Sequence, residues 1–286
     1  MRIIETFERG KHADQSLNED GKLVRERDGF AAVVDGVTSK SVRKPWQPTG
    51  GVVAKDHALA ALRDVPADAS LRSVQRAVDE RFRAAYREHE LGYDLFVAEP
   101  LERMQANAVV YSAAHGEAWL FGDCQILVNG VATPTVKHVD DLLGEVRAFA
   151  ARGLALQREA GEPDPQIDAE ALAAAGGDPA RAMIMPFLRL QSRFANRRGE
   201  WGYFVFDGFT DPEWPVTVVP VAPGDEVVLA SDGYPLLRPT LAESEAELAR
   251  LHREDPALTG TEYRSTKGFT PDLESFDDRT YLRFVA

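Results

Sequence analysis

Only one cysteine, Cys124, occurs in 286 residues. An internal disulfide and a Cys-rich zinc site are therefore excluded. No stretch approaches the ~20 apolar residues that a membrane helix needs, so no membrane partner is expected. The N-terminus, MRIIETFERGKHAD, shows no apolar run followed by a small-residue cleavage site; no signal peptide is read there, and the expected compartment is the cytoplasm. Basic residues are in deficit, 33 Lys+Arg against 46 Asp+Glu, for a formal net charge of −13. That balance argues against nucleic acid as the main partner, which needs a basic footprint. Internal repeats, a Gly-x-Ser-x-Gly elbow, a Walker loop, a Gly-x-Gly-x-x-Gly fingerprint and a His-Glu-x-x-His pair are all missing, so serine-hydrolase, nucleotide-loop, nicotinamide and zinc-protease chemistry have no support.

The apolar pattern points to a layered α+β protein with a sheet core. FAAVV (Phe30 to Val34) ends at Asp35-Gly36 and reads as a buried strand feeding a turn. Further strands are predicted at Asn107 to Ser112, Ala118 to Phe121, Gln125 to Val128, Trp201 to Phe206, Val216 to Val221, Glu226 to Ala230 and Thr280 to Val285. Helices are predicted over Val53 to Arg63, Ser70 to Glu90, Val139 to Leu156 (Leu142, Val146 and Phe149 on one face), Ala180 to Phe194 and Leu241 to His252. Strands cluster and helices come in pairs, unlike the strict alternation of a parallel doubly wound sheet. The expected organisation is one domain over 1–286, with a helical insertion around 134–200. Within it, Glu159 to Asp178 is rich in Ala, Gly, Pro and acid.

Carboxylates recur at strand ends. Glu19-Asp20 lies in NEDG, Asp35 follows the FAAVV strand, Asp123 leaves a strand in FGDC, Asp232 follows EVVLA as SDG, and Asp277-Asp278 precedes the last strand. Any one of these alone is an ordinary Asp-Gly turn. Together they can converge at one sheet edge, where several carboxylates and waters suit Mg²⁺ or Mn²⁺. Two such ions can hold a hydroxide and a phosphate for phosphoester hydrolysis.

The ordered set resembles the PPM family, the metal-dependent protein phosphatases of type 2C, over nearly the whole chain. The resemblance implies two packed antiparallel β-sheets flanked by helical pairs. It implies that Asp35 bridges two Mn²⁺ or Mg²⁺ ions, with Asp232 and Asp277 completing the first site. Glu19 or Asp20, with the Gly36 carbonyl, would hold the second, and Asp123 a third, weaker ion. A water between the main ions would be the nucleophile. The implied substrate is a phosphorylated protein, through phosphoserine or phosphothreonine.

The layer that grips phosphate departs from the family pattern. Gln15 stands where the family has Arg, Val37 follows Asp35-Gly36, and Ala106-Asn107-Ala108 opens the middle strand. Thr38, Ser39, Lys40, Arg43 and Lys44 are candidates for a rebuilt layer, with Lys40 the first choice for phosphate recognition. Asn196-Arg197-Arg198 and Arg279 are weaker candidates, the first read as a surface loop, the second as equally able to pair with Asp278. Cys124 is read as packed. Two alternatives stay open: the same metal site acting on a small phosphorylated metabolite or in another reaction, and a pseudophosphatase acting as a binding or regulatory module. Retention of every carboxylate argues against the last, since buried like charges are costly without cations.

Overall fold

The computed structural model describes residues 1–286. Two antiparallel sheets of five strands each form the centre. The first runs β1 (Arg2–Arg9), β10 (Arg279–Val285), β9 (Glu226–Ala230), β6 (Gln125–Val128) and β7 (Val131–Ala132). The second runs β2 (Asp20–Arg25), β3 (Phe30–Gly36), β4 (Ala106–Ser112), β5 (Glu117–Phe121) and β8 (Thr217–Pro220). The α+β architecture read from the sequence is therefore present.

The unbroken apolar run of β3 has a two-sided cause. Phe30, Ala32 and Val34 face one cluster with α1 (Gly50–Asp64) and α2 (Leu71–Glu88), through Ala54, Ala58, Val78 and Phe82. Ala31 and Val33 face the other way, into an inter-sheet cluster with Ile126, Leu229, Leu282 and Phe284. A strand covered on both faces has no polar side to alternate with. The outer face of the first sheet is closed by Tyr234 and Tyr281, with Leu241 of α7 (Leu241–Glu254) packed against them. A reciprocal cap between Thr240 and Glu243 starts α7.

Between α2 and β4 lies the short α3 (Tyr93–Ala98). The segment after β7 carries α4 (His138–Glu159), α5 (Ala169–Ala174) and α6 (Pro179–Leu190). Here α4 packs on α6 through Val139, Leu143, Ile184, Met185 and Leu188. The predicted Leu142, Val146 and Phe149 face is instead exposed, Phe149 at 80%. The buried stripe sits one position round, at Val139, Leu143, Arg147, Ala150 and Leu154, because Arg147 turns inward to Asp178 at 2.6 Å.

Trp201 to Phe206 is not a strand. Only isolated bridges form there, Ala195 with Tyr203 and Ala106 with Phe206. The alternation is genuine nonetheless: Tyr203 and Val205 enter the α4–α6 cluster, while Phe204 and Phe206 enter the α1–α2 cluster. The segment is a two-sided wedge without a ladder. No helix is long and apolar enough to cross a membrane.

Candidate active site

Strand register brings the carboxylates to one end of both sheets. In the second sheet, Asp20 lies directly across from Asp35, and Asp35 from Asn107. In the first, Asp232 lies two residues beyond Ala230, which pairs with both Tyr281 and Gln125. That register brings Asp278, just before β10, and Asp123, just before β6, to the same end. Directly opposed like charges are unfavourable in a sheet, so this end needs compensating charge. The turn into Asp123 depends on Gly122: its φ is +101°, and a Cβ there would collide with Asn107.

The acids divide into two groups. Glu19 is 2% exposed and fully engaged: the Thr49 hydroxyl donates to its Oε1 at 2.7 Å, Thr38 donates to Oε2, and Lys11 Nζ lies 3.1 Å from Oε2. Thr49 is also the N-cap of α1 and accepts from the Val52 N–H. Asp277 is paired with Lys11 at 3.0 Å and with Lys267. Burial opposes its ionisation, but these two cations win and hold its carboxyl well below the usual range. Lys11 is itself buried, which disfavours its charge, yet Asp277, Glu19 and Asp278 raise it well above an ordinary lysine.

The second group lacks that relief. Burial, then the nearby Asp278, push Asp20 well up, and its Oδ2 has no hydrogen-bond partner. Burial, then Asp232 and Asp20, do the same to Asp35. Asp232 is pushed up to about 7 by burial and then by Asp277 and Asp123, against a smaller downward pull from Lys267 and Lys137. Asp123 is intermediate: Oδ2 meets Lys137 at 3.2 Å, while Oδ1 is buried and unpartnered. No three of these side chains close into a ready-made metal cage. The Gly36 carbonyl lies against the backbone of Gly51 at the start of α1.

Asp35, Asp123, Asp232 and Asp277 line a cleft of about 870 Å³. Lys40, Lys137, Arg181 and Lys267 line it too. Burial pushes the Lys40 ammonium down to about 8, helped by Arg181, Lys267 and Lys137 and opposed by Asp140. Val37, which follows Asp35-Gly36, packs against the α4–α6 cluster.

Several sequence candidates lie elsewhere. Gln15 braces its own turn, accepting from the Gly10 N–H at 2.8 Å and donating to the His12 carbonyl at 2.6 Å. Arg43 pairs with Glu99 at 3.4 Å on the surface, and Lys44 is exposed with φ of 47°. Asn196 ties down Asp207 at 2.9 Å, and Arg198 pairs with Asp211 at 2.6 Å. Arg279 pairs with Glu245 at 3.0 Å, not with Asp278. Cys124 is buried, and burial raises its thiol well above normal, so it is inert. Lys137, Arg181 and Lys267 were not anticipated; nothing in their local sequence marks them.

No protein-family model matches the chain, and no curated protein matches it. Among solved structures it is similar to the catalytic domain of the serine/threonine protein phosphatase PstP in complex with two manganese ions: 17% identity, 99% of this chain, 98% of that one, TM-score 0.49. It is similar to the serine/threonine phosphatase Stp1 from Staphylococcus aureus, at 13% identity over 100% of this chain and 95% of that one, TM-score 0.48. It is also similar to RsbX in complex with magnesium, at 9% identity over 97% and 92%, TM-score 0.45. At such values the chemistry has to come from the chain's own side chains.

Proposed function

We propose that the chain is a divergent metal-dependent phosphoester hydrolase of the PPM (type 2C) kind. One observation carries this reading: Asp35 and Asp232 line the cleft from the two sheets, with Asp20 paired across from Asp35 behind them, and none of the three makes an ion pair of the kind Lys11 makes with their neighbours. Carboxylates left this way are costly unless a cation joins them. The unpartnered oxygens of Asp20 and Asp123 fit that requirement. An all-oxygen donor set suits Mg²⁺ or Mn²⁺.

Asp20, Asp35 and Asp232 would hold the divalent cation, with Asp123 beside them. Bound there, it supplies a water of lowered pKa and draws charge from phosphoryl oxygens. Lys40 and Arg181 face the same cleft and would bind the outer oxygens of a phosphate dianion, the part that Gln15 cannot play from its turn. A phosphoserine or phosphothreonine protein is the first-choice substrate. A cleft of about 870 Å³ is also within the range of small-ligand sites, which favours a small phosphoester as the second reading.

Hydrolysis of p-nitrophenyl phosphate and of a phosphothreonine peptide, in Mn²⁺ or Mg²⁺ and again in chelator, tests this. Metal-dependent release from both is expected. Metal binding with no release of phosphate from either would overturn the reading as a phosphatase of this kind.

A further inference from the structure

Half of the carboxylate constellation already holds a cation, and that cation belongs to the chain. Lys11 lies in the loop between β1 and β2. Its backbone N–H donates to Asp278 Oδ1 at 2.8 Å, and its Nζ lies 2.8 Å from Asp278 Oδ2. The same Nζ is 3.1 Å from Glu19 Oε2, 3.0 Å from Asp277 Oδ1 and 3.1 Å from Thr38 Oγ1. The side chain is 9% exposed. An ammonium with three N–H groups is thus surrounded by four oxygens from three separate segments.

The charges on this side nearly balance. Glu19, Asp277 and Asp278 face Lys11, and Lys267 adds a second cation at Asp277. A divalent ion placed among the same oxygens would stand beside a buried ammonium, with strong repulsion in a poorly solvated site. Its bonds of ~2.1 Å would also need oxygens that Lys11 now holds at hydrogen-bond distance. On the other side, Asp20, Asp35 and Asp232 make no ion pair, and Lys267 and Lys137 pull on Asp232 only from beyond ion-pair distance. We infer that Lys11 is a built-in cation standing in for one of two divalent ions, so that the cleft takes a single Mg²⁺ or Mn²⁺, on Asp20, Asp35 and Asp232. The inference rests on the reading of this cleft as a divalent-cation site.

The test counts ions rather than turnover. Purified chain is dialysed against Mn²⁺, and bound metal per chain is measured together with the frozen-solution EPR spectrum, for wild type and Lys11→Ala. Expected is one uncoupled Mn²⁺ per wild-type chain. Lys11→Ala, with Glu19, Asp277 and Asp278 uncovered, should take up a second ion, with spin coupling between the pair. Two coupled ions in wild type would overturn the inference and leave the metal-site reading standing. One ion in both proteins would also overturn it. No bound ion in wild type would overturn both, and is distinct from either result. Should Lys11→Ala fail to fold, the wild-type count decides alone.

Discussion

Asp35→Asn is expected to abolish metal-dependent hydrolysis while leaving the fold intact. Asp35 sits at the end of β3, across from Asp20 on one side and Asn107 on the other. Replacing residues that only support a metal ligand already costs roughly 10–100-fold in affinity or activity. A carboxylate that touches the ion directly should cost at least about a hundredfold. The stability change has the opposite sign. Burial and then Asp232 and Asp20 work against the Asp35 charge, so the neutral amide relieves repulsion when no metal is present. In chelator, the variant should melt no lower than wild type. Melting curves and Mn²⁺-dependent phosphate release on the same preparation check both halves. Full activity in Asp35→Asn would remove this residue from the site, and a collapsed melting temperature would make its role structural.

Lys40→Ala should raise KM for a phosphoester by about ten- to a hundredfold and change kcat less. A charge-assisted hydrogen bond is worth about 1.5–3 kcal/mol, and a contact made equally in ground and transition states appears in KM. The cleft supports this choice over the other cations after Asp35: Lys40 lines it, while Arg43 is tied to Glu99. A pH signature goes with it. The ammonium is pushed down to about 8 by burial and then by Arg181, Lys267 and Lys137. The charged form dominates below that value, so wild-type KM should rise as pH climbs through about 8. Lys40→Ala should lack that rise. Equal KM values in the two proteins at pH 7 would move phosphate recognition to Arg181 or Lys267.

Asp35, Asp123, Asp232 and Asp277-Asp278 were legible in the sequence because each follows or precedes an apolar strand, whereas Glu19-Asp20 stood out only as part of the ordered set. Strand-end position is local information, and register converts it into convergence. The cations were not legible, because Lys11 meets partners at the other end of the chain and Lys137 and Lys267 meet theirs through turns and irregular segments. Lys11 meets Asp277 and Asp278, Lys137 meets Asp123 across a hairpin, and Lys267 comes from an irregular segment. No periodicity encodes such meetings.

The two edge strands next to the site were also missed. β1 carries charges on its exposed face, and β2 reads as a turn because Asp20-Gly21 opens it. Sequence could not separate Glu19 from Asp20 as neighbours in NEDG. The structure turns one toward Lys11 and Thr49 and the other toward Ser231 and Asp278. Trp201 to Phe206 misled for a physical reason. Its side chains alternate between two cores as a strand's would, and periodicity cannot report that the ladder is missing.

The central claim is that Asp20, Asp35 and Asp232 form a site completed by a divalent cation, and thermal unfolding in Mn²⁺ against EDTA tests it without assuming a substrate. An ion held at ~100 times its dissociation constant stabilises the folded chain by about 2.7 kcal/mol. For a domain of this size that corresponds to a rise of roughly 4–5 °C in Tm. A rise of that order in Mn²⁺ or Mg²⁺, absent in Asp35→Asn, is the expected result. Superimposed curves for the wild-type protein would contradict it.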